Sequence, residues 1–335
     1  MKRFSALAAC LMAVVLPLVL AIAGDVRANG YDPLAVNPAF HPAYVDLTVH
    51  DAARNRDIPV RVYLPMNTAP EPVILFSHGL GGSRVGSVFL GEHWAERGYA
   101  AVFLQHPGSD DSVWKEASMG KRMRAMKQAA SLDNFLLRGQ DVPAVLNQLE
   151  IWNTDKTNFL AGRLDLKKVG MSGHSFGAVT TEAVSGETMP VGGQSFTDPR
   201  IRAAIAFSPS SPKTGSAAKA FGSVKIPWML MTGTKDVAPI GDQDMASRLA
   251  VYPALRSVPK YEVVLHDAEH SVFTDRVLPG DHEPRNPNHH RVILALSTAF
   301  WDAYLCGDSA ALAWLNGPGP RSVMEPDDQW QFSSH

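Results

Sequence analysis

Val169-Gly170-Met171-Ser172-Gly173-His174-Ser175-Phe176-Gly177 decides the reading of this chain. A short run from Lys168 to Met171 ends in Gly-His-Ser-Phe-Gly. Ala178-Val179-Thr180-Thr181-Glu182-Ala183 then opens a helix of mostly small residues. G-x-S-x-G between a strand and a helix predicts a sharp, strained turn with the serine at its apex. Gly173 and Gly177 supply the room such a turn needs. The turn lifts Ser175 Oγ above the sheet and aims a helix N-terminus at any oxygen bound there.

Working outward, Val73-Ile74-Leu75-Phe76 is continuously apolar, the signature of a strand buried on both faces. It runs into Ser77-His78-Gly79-Leu80-Gly81-Gly82. A dinucleotide fingerprint would need glycine at 79, 81 and 84, and Arg84 fills the last position, so that reading fails. The glycines instead let the backbone fold back and present the Leu80 N–H toward Ser175. Tyr44 to His50 and Ile58 to Leu64 predict two strands around a polar loop, with Val60 and Val62 alternating as on a sheet with one wet face. Val88 to Gly98 reads as a helix closed by Gly98, and Tyr99 to Gln105 as the next buried strand.

Residues 112–132 exceed what a minimal strand–helix–strand unit needs. Met119, Met123 and Met126 recur at helical spacing among Lys121, Arg122, Arg124 and Lys127. The segment is either a lid or pocket wall, since Met fills irregular space, or an ordinary amphipathic helix packed on the body. The candidate substrate-binding residues are His78, Gly79, His174, Met119 and Met123.

Asp133 to Trp152 reads as a long helix with Leu136, Leu137, Val145, Leu146 and Leu149 inward and Pro143 as a kink or break. Thr188 to Pro199 reads as a loop, and Ile201 to Phe207 and Pro227 to Met231 as strands. Gly241 to Leu255 reads as a helix, Tyr261 to Leu265 as the last strand, and Arg291 to Leu305 as the terminal helix. This alternation predicts an α/β fold: a mostly parallel central sheet covered by helices on both faces, with an antiparallel N-terminal edge.

In such a sheet the loops at the strands' carboxyl ends meet at one rim. Ser175, Asp236 and His270 each follow a strand, in the order serine, acid, histidine. Serine is a poor nucleophile at neutral pH without a base in reach and an acid to orient that base. His270 would take the Ser175 proton, Asp236 would hold the imidazole tautomer, and the backbone N–H groups of Leu80 and Phe176 would receive a tetrahedral oxyanion. Asp198 precedes its strand and so lies at the amino end of the sheet. Asp267 leaves the same strand as His270 only three residues earlier, so reaching the ring would need a tight fold-back.

Composition narrows the partners. The 335 residues are 45% hydrophobic and 19% charged with a formal net charge of -2, which gives no reason to expect nucleic acid. Residues 1–23 read as an export signal: Lys2 and Arg3, an apolar run, then Ala21-Ile22-Ala23 as cleavage site. Residues 24–335 then form one domain, secreted or periplasmic, with no stable membrane partner; an uncleaved membrane anchor is the lesser alternative. Cys10 would leave with the signal, so Cys306 has no disulfide partner. His282, Glu283, His289 and His290 share a polar stretch, but their spacing fits no compact metal site, and no cofactor is expected.

Phe76-Ser77-His78-Gly79-Leu80-Gly81 and Gly173-His174-Ser175-Phe176-Gly177 resemble motifs of the α/β-hydrolases. Within that superfamily the chain resembles bacterial dienelactone-hydrolase-like esterases and the secreted platelet-activating-factor acetylhydrolases, over about Val73 to Phe273. Two departures stand out. Dienelactone hydrolases use a cysteine where this chain has Ser175. The acetylhydrolases place their acid one strand earlier, where this chain reads Ser208-Pro209-Ser210, while Asp236-Val237-Ala238-Pro239 resembles the acid loop of cutinase-type polyester hydrolases. The expectation is an exported serine carboxylester hydrolase acting through an acyl-enzyme on a small-molecule, lipid or polymer ester. The alternatives are a lipase or phospholipase A2-like acetylhydrolase, a polyester hydrolase, or a non-catalytic hydrolase fold used for binding.

Overall fold

A computed structural model describes residues 30–334 apart from 38, 68, 190–194, 242 and 279. The export signal read at residues 1–23, and with it the cellular location, lies outside the described residues, as does the middle of the Thr188–Pro199 loop.

Nine strands form one sheet in the order β1-β2-β4-β3-β5-β6-β7-β8-β9. They are β1 (Pro42–Asp51), β2 (Arg56–Pro65), β3 (Glu71–Ser77), β4 (Ala100–Leu104), β5 (Leu164–His174), β6 (Ile201–Phe207), β7 (Trp228–Lys235), β8 (Lys260–Glu269) and β9 (Gln329–Ser333). The strands from β4 through β3, β5, β6 and β7 to β8 pair in parallel. β1 and β2 add the antiparallel edge that the alternation of Val60 and Val62 implies. β8 is not the last strand: β9 runs antiparallel along it, Ser333 opposite Lys260 and Gln329 opposite Val264. Tyr261 of β8 stacks on both Trp330 and Phe332, so ring contacts as well as ladder hydrogen bonds hold this edge.

Ten α-helices complete the described chain: α1 (Val88–Glu96), α2 (Ser112–Lys115), α3 (Arg122–Ala129), α4 (Leu132–Thr154), α5 (Phe176–Val184), α6 (Ala217–Phe221), α7 (Met245–Leu249), α8 (Val251–Ala254), α9 (Pro287–Tyr304) and α10 (Ser309–Asn316). Alternate strand residues point to opposite faces. Ile74, Phe76, Ala203, Ile205 and Met229 pack with Leu90 and Trp94 of α1 and Trp301 of α9. Val73, Leu75, Val102 and Met171 pack with Val142, Val145 and Leu149 of α4, and Ala204 and Leu230 with Ala178 of α5 and Phe221 of α6. Both faces are therefore covered.

The helical segments differ from expectation in several respects. The stretch read as one helix over 241–255 is two short ones. Asp244 accepts the Ser247 N–H at 2.9 Å, which starts α7 late. In α4 the buried stripe runs through Phe135, Arg138, Val142, Val145 and Leu149, leaving Leu136 and Leu137 half-buried on its flanks. Pro143 sits inside α4 without ending it. Within 112–132 the methionines do not share one helix, because Met119 lies in a 3₁₀ turn that precedes α3.

Candidate active site

β5 ends against β3, and the turn after it is built on close backbone approach. Ser175 has φ 57° and ψ -114°, a conformation that a non-glycine residue holds only when its surroundings over-determine it. A Cβ at Gly177 would overlap the Ser77 carbonyl oxygen, and one at Gly173 would overlap the Gly177 carbonyl. The two glycines of the motif are thus needed for contact with β3 and within the turn, at backbone angles that are themselves ordinary. The Ser175 N–H donates to Phe207 O at 2.9 Å, which ties the apex to β6.

His270 opens a short 3₁₀ turn directly after β8. Its Nε2 lies 2.8 Å from Ser175 Oγ, and its Nδ1 lies 2.6 Å from Asp236 Oδ1. Asp236 lies one residue beyond β7. Gly233 lets the two loops meet: a Cβ there would overlap Ala268 O on β8. Asp236 is fully buried, and Thr232 Oγ1 donates to its Oδ2 at 2.8 Å. Burial alone would push this carboxyl up. The His270 imidazole and the Arg248 guanidinium outweigh it and hold the group far below the usual carboxylate range. Of the competing acids, Asp267 pairs with Lys235 at 3.0 Å and Asp198 with Arg200 at 2.6 Å.

The candidate oxyanion donors flank Ser175. Phe176 is the first residue of α5, so its N–H belongs to the group that a helix leaves unpaired at its start. Leu80 lies on the loop after β3. The fold of that loop rests on Gly82 N–H to Gly79 O at 3.0 Å and Gly81 N–H to Ser109 O at 2.9 Å. Gly81, at φ +69°, a conformation that favours glycine, sits against the terminal methyl of Met126 of α3, which would have to swing aside for a side chain there.

Two spaces open on Ser175. A cavity of about 590 Å³ is lined by Gly79, Leu80, Met126, His174, Ser175 and His270. A second of about 360 Å³ is lined by Leu80, Phe135, Ser175, Phe176, Val179 and Ile240. Leu80 and Ser175 border both, whereas His270 lines only the larger. Met119 and Met123 line neither; they are 82% and 51% exposed, and Met126 is the methionine of this segment that reaches the site. His78 and His174 border the larger cavity but are buried and engaged in holding the fold. His174 Nε2–H donates to His270 O at 2.9 Å, and burial followed by the neighbouring His270 keeps His174 well below its ordinary pKa, hence neutral. His78 Nε2 accepts the His106 N–H at 3.0 Å, while its Nδ1–H meets Gly79 O at 2.7 Å.

Residues that the sequence reading passed over support these loops. Arg248 of α7, 1% exposed, bonds Asp236 Oδ1 at 3.0 Å and the carbonyls of Ser208 and Pro209 at 2.9 Å each. Behind the Leu80 loop lies a second serine–histidine–aspartate line. Ser77 Oγ is 2.9 Å from His106 Nε2, and His106 Nδ1 is 2.9 Å from Asp141 Oδ2, with all three side chains sealed from solvent. It borders neither cavity at Ser175. The signal for this network was present in α4: Arg138 and Asp141 interrupt an otherwise apolar inward stripe. His282, Glu283, His289 and His290 do not converge. Glu283 pairs with Lys235, and the two later histidines bind the carbonyls of His266 and Val272.

Fold and site together define an α/β protein with a serine–histidine–aspartate line at the carboxyl rim of its sheet. Against known proteins, the chain matches no family model and no curated sequence.

Proposed function

We propose that the chain is an α/β-hydrolase-fold serine esterase that cleaves carboxylic esters through an acyl-enzyme, exported by the signal read at residues 1–23. The observation that carries this reading is the unbroken line from Ser175 Oγ through the His270 ring to Asp236, at 2.8 and 2.6 Å, in a serine that borders an open cavity. The chain order serine, acid, histidine and the strand–turn–helix around Ser175 support the same assignment.

The geometry supports the following steps. His270 Nε2 takes the proton as Ser175 Oγ attacks the ester carbonyl, and the Leu80 and Phe176 N–H groups receive the oxyanion. Asp236 stabilises the imidazolium without itself taking the proton. His270 then protonates the leaving alkoxide, so the alcohol part belongs in the larger cavity, which His270 lines, and the acyl part in the smaller one beside Phe135 and Val179. Water repeats the sequence on the acyl-enzyme. The test is a p-nitrophenyl acetate progress curve together with a fluorophosphonate adduct mapped by mass spectrometry. A burst of p-nitrophenol and an adduct on Ser175 are expected. A folded protein giving neither would leave a hydrolase fold used only for binding.

Two further outcomes are expected. A Cβ at Gly79 would lie 3.3 Å from His174 Nδ1 and 3.4 Å from Ser175 Cβ, so the branches of valine must displace the loop. Gly79→Val should therefore lower kcat by about 10²–10³, the usual effect of a lost oxyanion donor, while Leu80→Ala keeps its N–H and most of kcat. Equal losses in both would contradict the backbone role. Met126→Ala should change the preference among esters that differ in their alcohol, measured as kcat/KM ratios. The double variant Met119→Ala/Met123→Ala should leave those ratios near wild type. A lowered Tm with unchanged ratios for Met126→Ala would make α3 mere packing.

A further inference from the structure

Arg138 is fully buried on the inward stripe of α4, and no carboxylate among the described residues lies within hydrogen-bonding distance of it. Asp141, three residues further along α4, is taken by Arg54 at 2.9 Å, Arg56 at 2.8 Å and His106. Burial pulls the guanidinium down to about 9, against the pull of Asp141 and Asp110, so it remains a cation at neutral pH. A buried cation with no carboxylate beside it carries a desolvation cost that hydrogen bonds to neutral groups offset only in part. Packing alone would be better served by a leucine or methionine.

What the guanidinium touches suggests why a cation stands there. Nη1 donates to His78 O at 2.7 Å, immediately before the Gly79–Leu80 turn. Nε donates to Ser109 Oγ at 2.8 Å, on the loop whose carbonyl holds Gly81 N–H. Nη1 also reaches Ser77 Oγ at 3.4 Å, whose hydroxyl is oriented by the His106–Asp141 pair behind it. The guanidinium carbon stands 4.4 Å from the centroid of the Phe176 ring, a cation–π contact with the residue that carries the second donor. One side chain thus grips both segments that present an N–H to the oxyanion.

We propose that Arg138 is the positioning residue of the oxyanion hole, a buried cation that fixes the Leu80 and Phe176 segments together and biases the site toward a negative tetrahedral oxygen. This rests on the esterase reading above. A fixed charge in a low-dielectric site acts strongly on the charge that develops in the transition state and weakly on a neutral ester. The loss on its removal therefore falls on kcat and on transition-state analogues rather than on KM.

The experiment uses the full chain with Arg138→Met and Arg138→Lys, p-nitrophenyl butyrate as substrate, an alkylboronic acid as tetrahedral analogue, and Tm as a control. Arg138→Met should lower kcat about 10²-fold with KM within about threefold, and weaken the boronic acid by a similar factor. Arg138→Lys, which keeps the charge but not the fork, should recover part of that loss. A soluble Arg138→Met with wild-type kcat overturns the proposal, as does a loss confined to KM or one equal in Lys and Met variants that tracks Tm. Should Arg138→Met fail to fold, Ser109→Ala removes one anchor and leaves the charge. A loss of about tenfold in kcat, matched by the boronic acid, is expected there, and unchanged values overturn the proposal. A wild type that neither turns over nor labels at Ser175 overturns the esterase reading and this one together. A labelled, active wild type with an equally active Arg138→Met overturns this one alone.

Discussion

Ser175→Ala is expected to lower kcat by about 10⁶ and to abolish the fluorophosphonate adduct, with the protein still folded. The size follows from the chemistry: alanine removes the attacking oxygen, and His270 has nothing left to deprotonate. What remains is binding and the oxyanion donors. Stability changes little because Ser175 Oγ makes one hydrogen bond, to His270, and the strained backbone at φ 57° is held by the surrounding main chain, including the Ser175 N–H bond to Phe207 O. Alanine carries the same Cβ into the same conformation. Steady-state turnover and thermal melting on one preparation check both halves, and near-normal turnover would remove Ser175 from the reaction.

Asp236→Asn is expected to cost about 10⁴ in kcat with the fold retained. An asparagine amide turned toward the ring would favour the tautomer whose proton faces Ser175, and the base would be lost. The substitution also strips Arg248 of its ion pair, but that guanidinium keeps the carbonyls of Ser208, Pro209 and Asp236 as acceptors, so the acid loop stays in place. Asp267→Asn and Asp198→Asn should remain near wild type, because each carboxylate serves a salt bridge away from His270. A large loss at either, with Asp236→Asn nearly active, would reassign the acid.

The central sheet and the serine–histidine–aspartate line were legible in the sequence for a common reason. Parallel strands buried on both faces leave continuous apolar runs such as Val73–Phe76, and side chains at the ends of such runs share one rim. Asp236 could be preferred over Asp267 because a separate loop approaches the ring more easily than a neighbour three residues away. The antiparallel strand β9 escaped, although Gln329-Trp330-Gln331-Phe332 alternates as an edge strand does. Four residues carry too little period to stand out near a chain end. The 241–255 helix was over-extended because its apolar spacing says nothing of the Asp244 cap that starts it. Met119 and Met123 illustrate another limit. Regular spacing places residues on one face only if they share one helix, and a 3₁₀ turn separates the first from the rest. Arg138 and Asp141 were overlooked because charges within an apolar stripe read as flaws in a helix, although buried charges are commonly where a helix meets a site.

The edge strands have a consequence for how the molecule can be mounted. Pro42 at the start of β1 lies opposite Pro65, and Ser333 at the close of β9 lies opposite Lys260 at the start of β8. Both ends of the sheet's chain therefore emerge at its amino rim, while Ser175 and His270 face the other way. A tag, tether or solid support joined after β9 would leave the cleft beside Ser175 pointing outward into the medium.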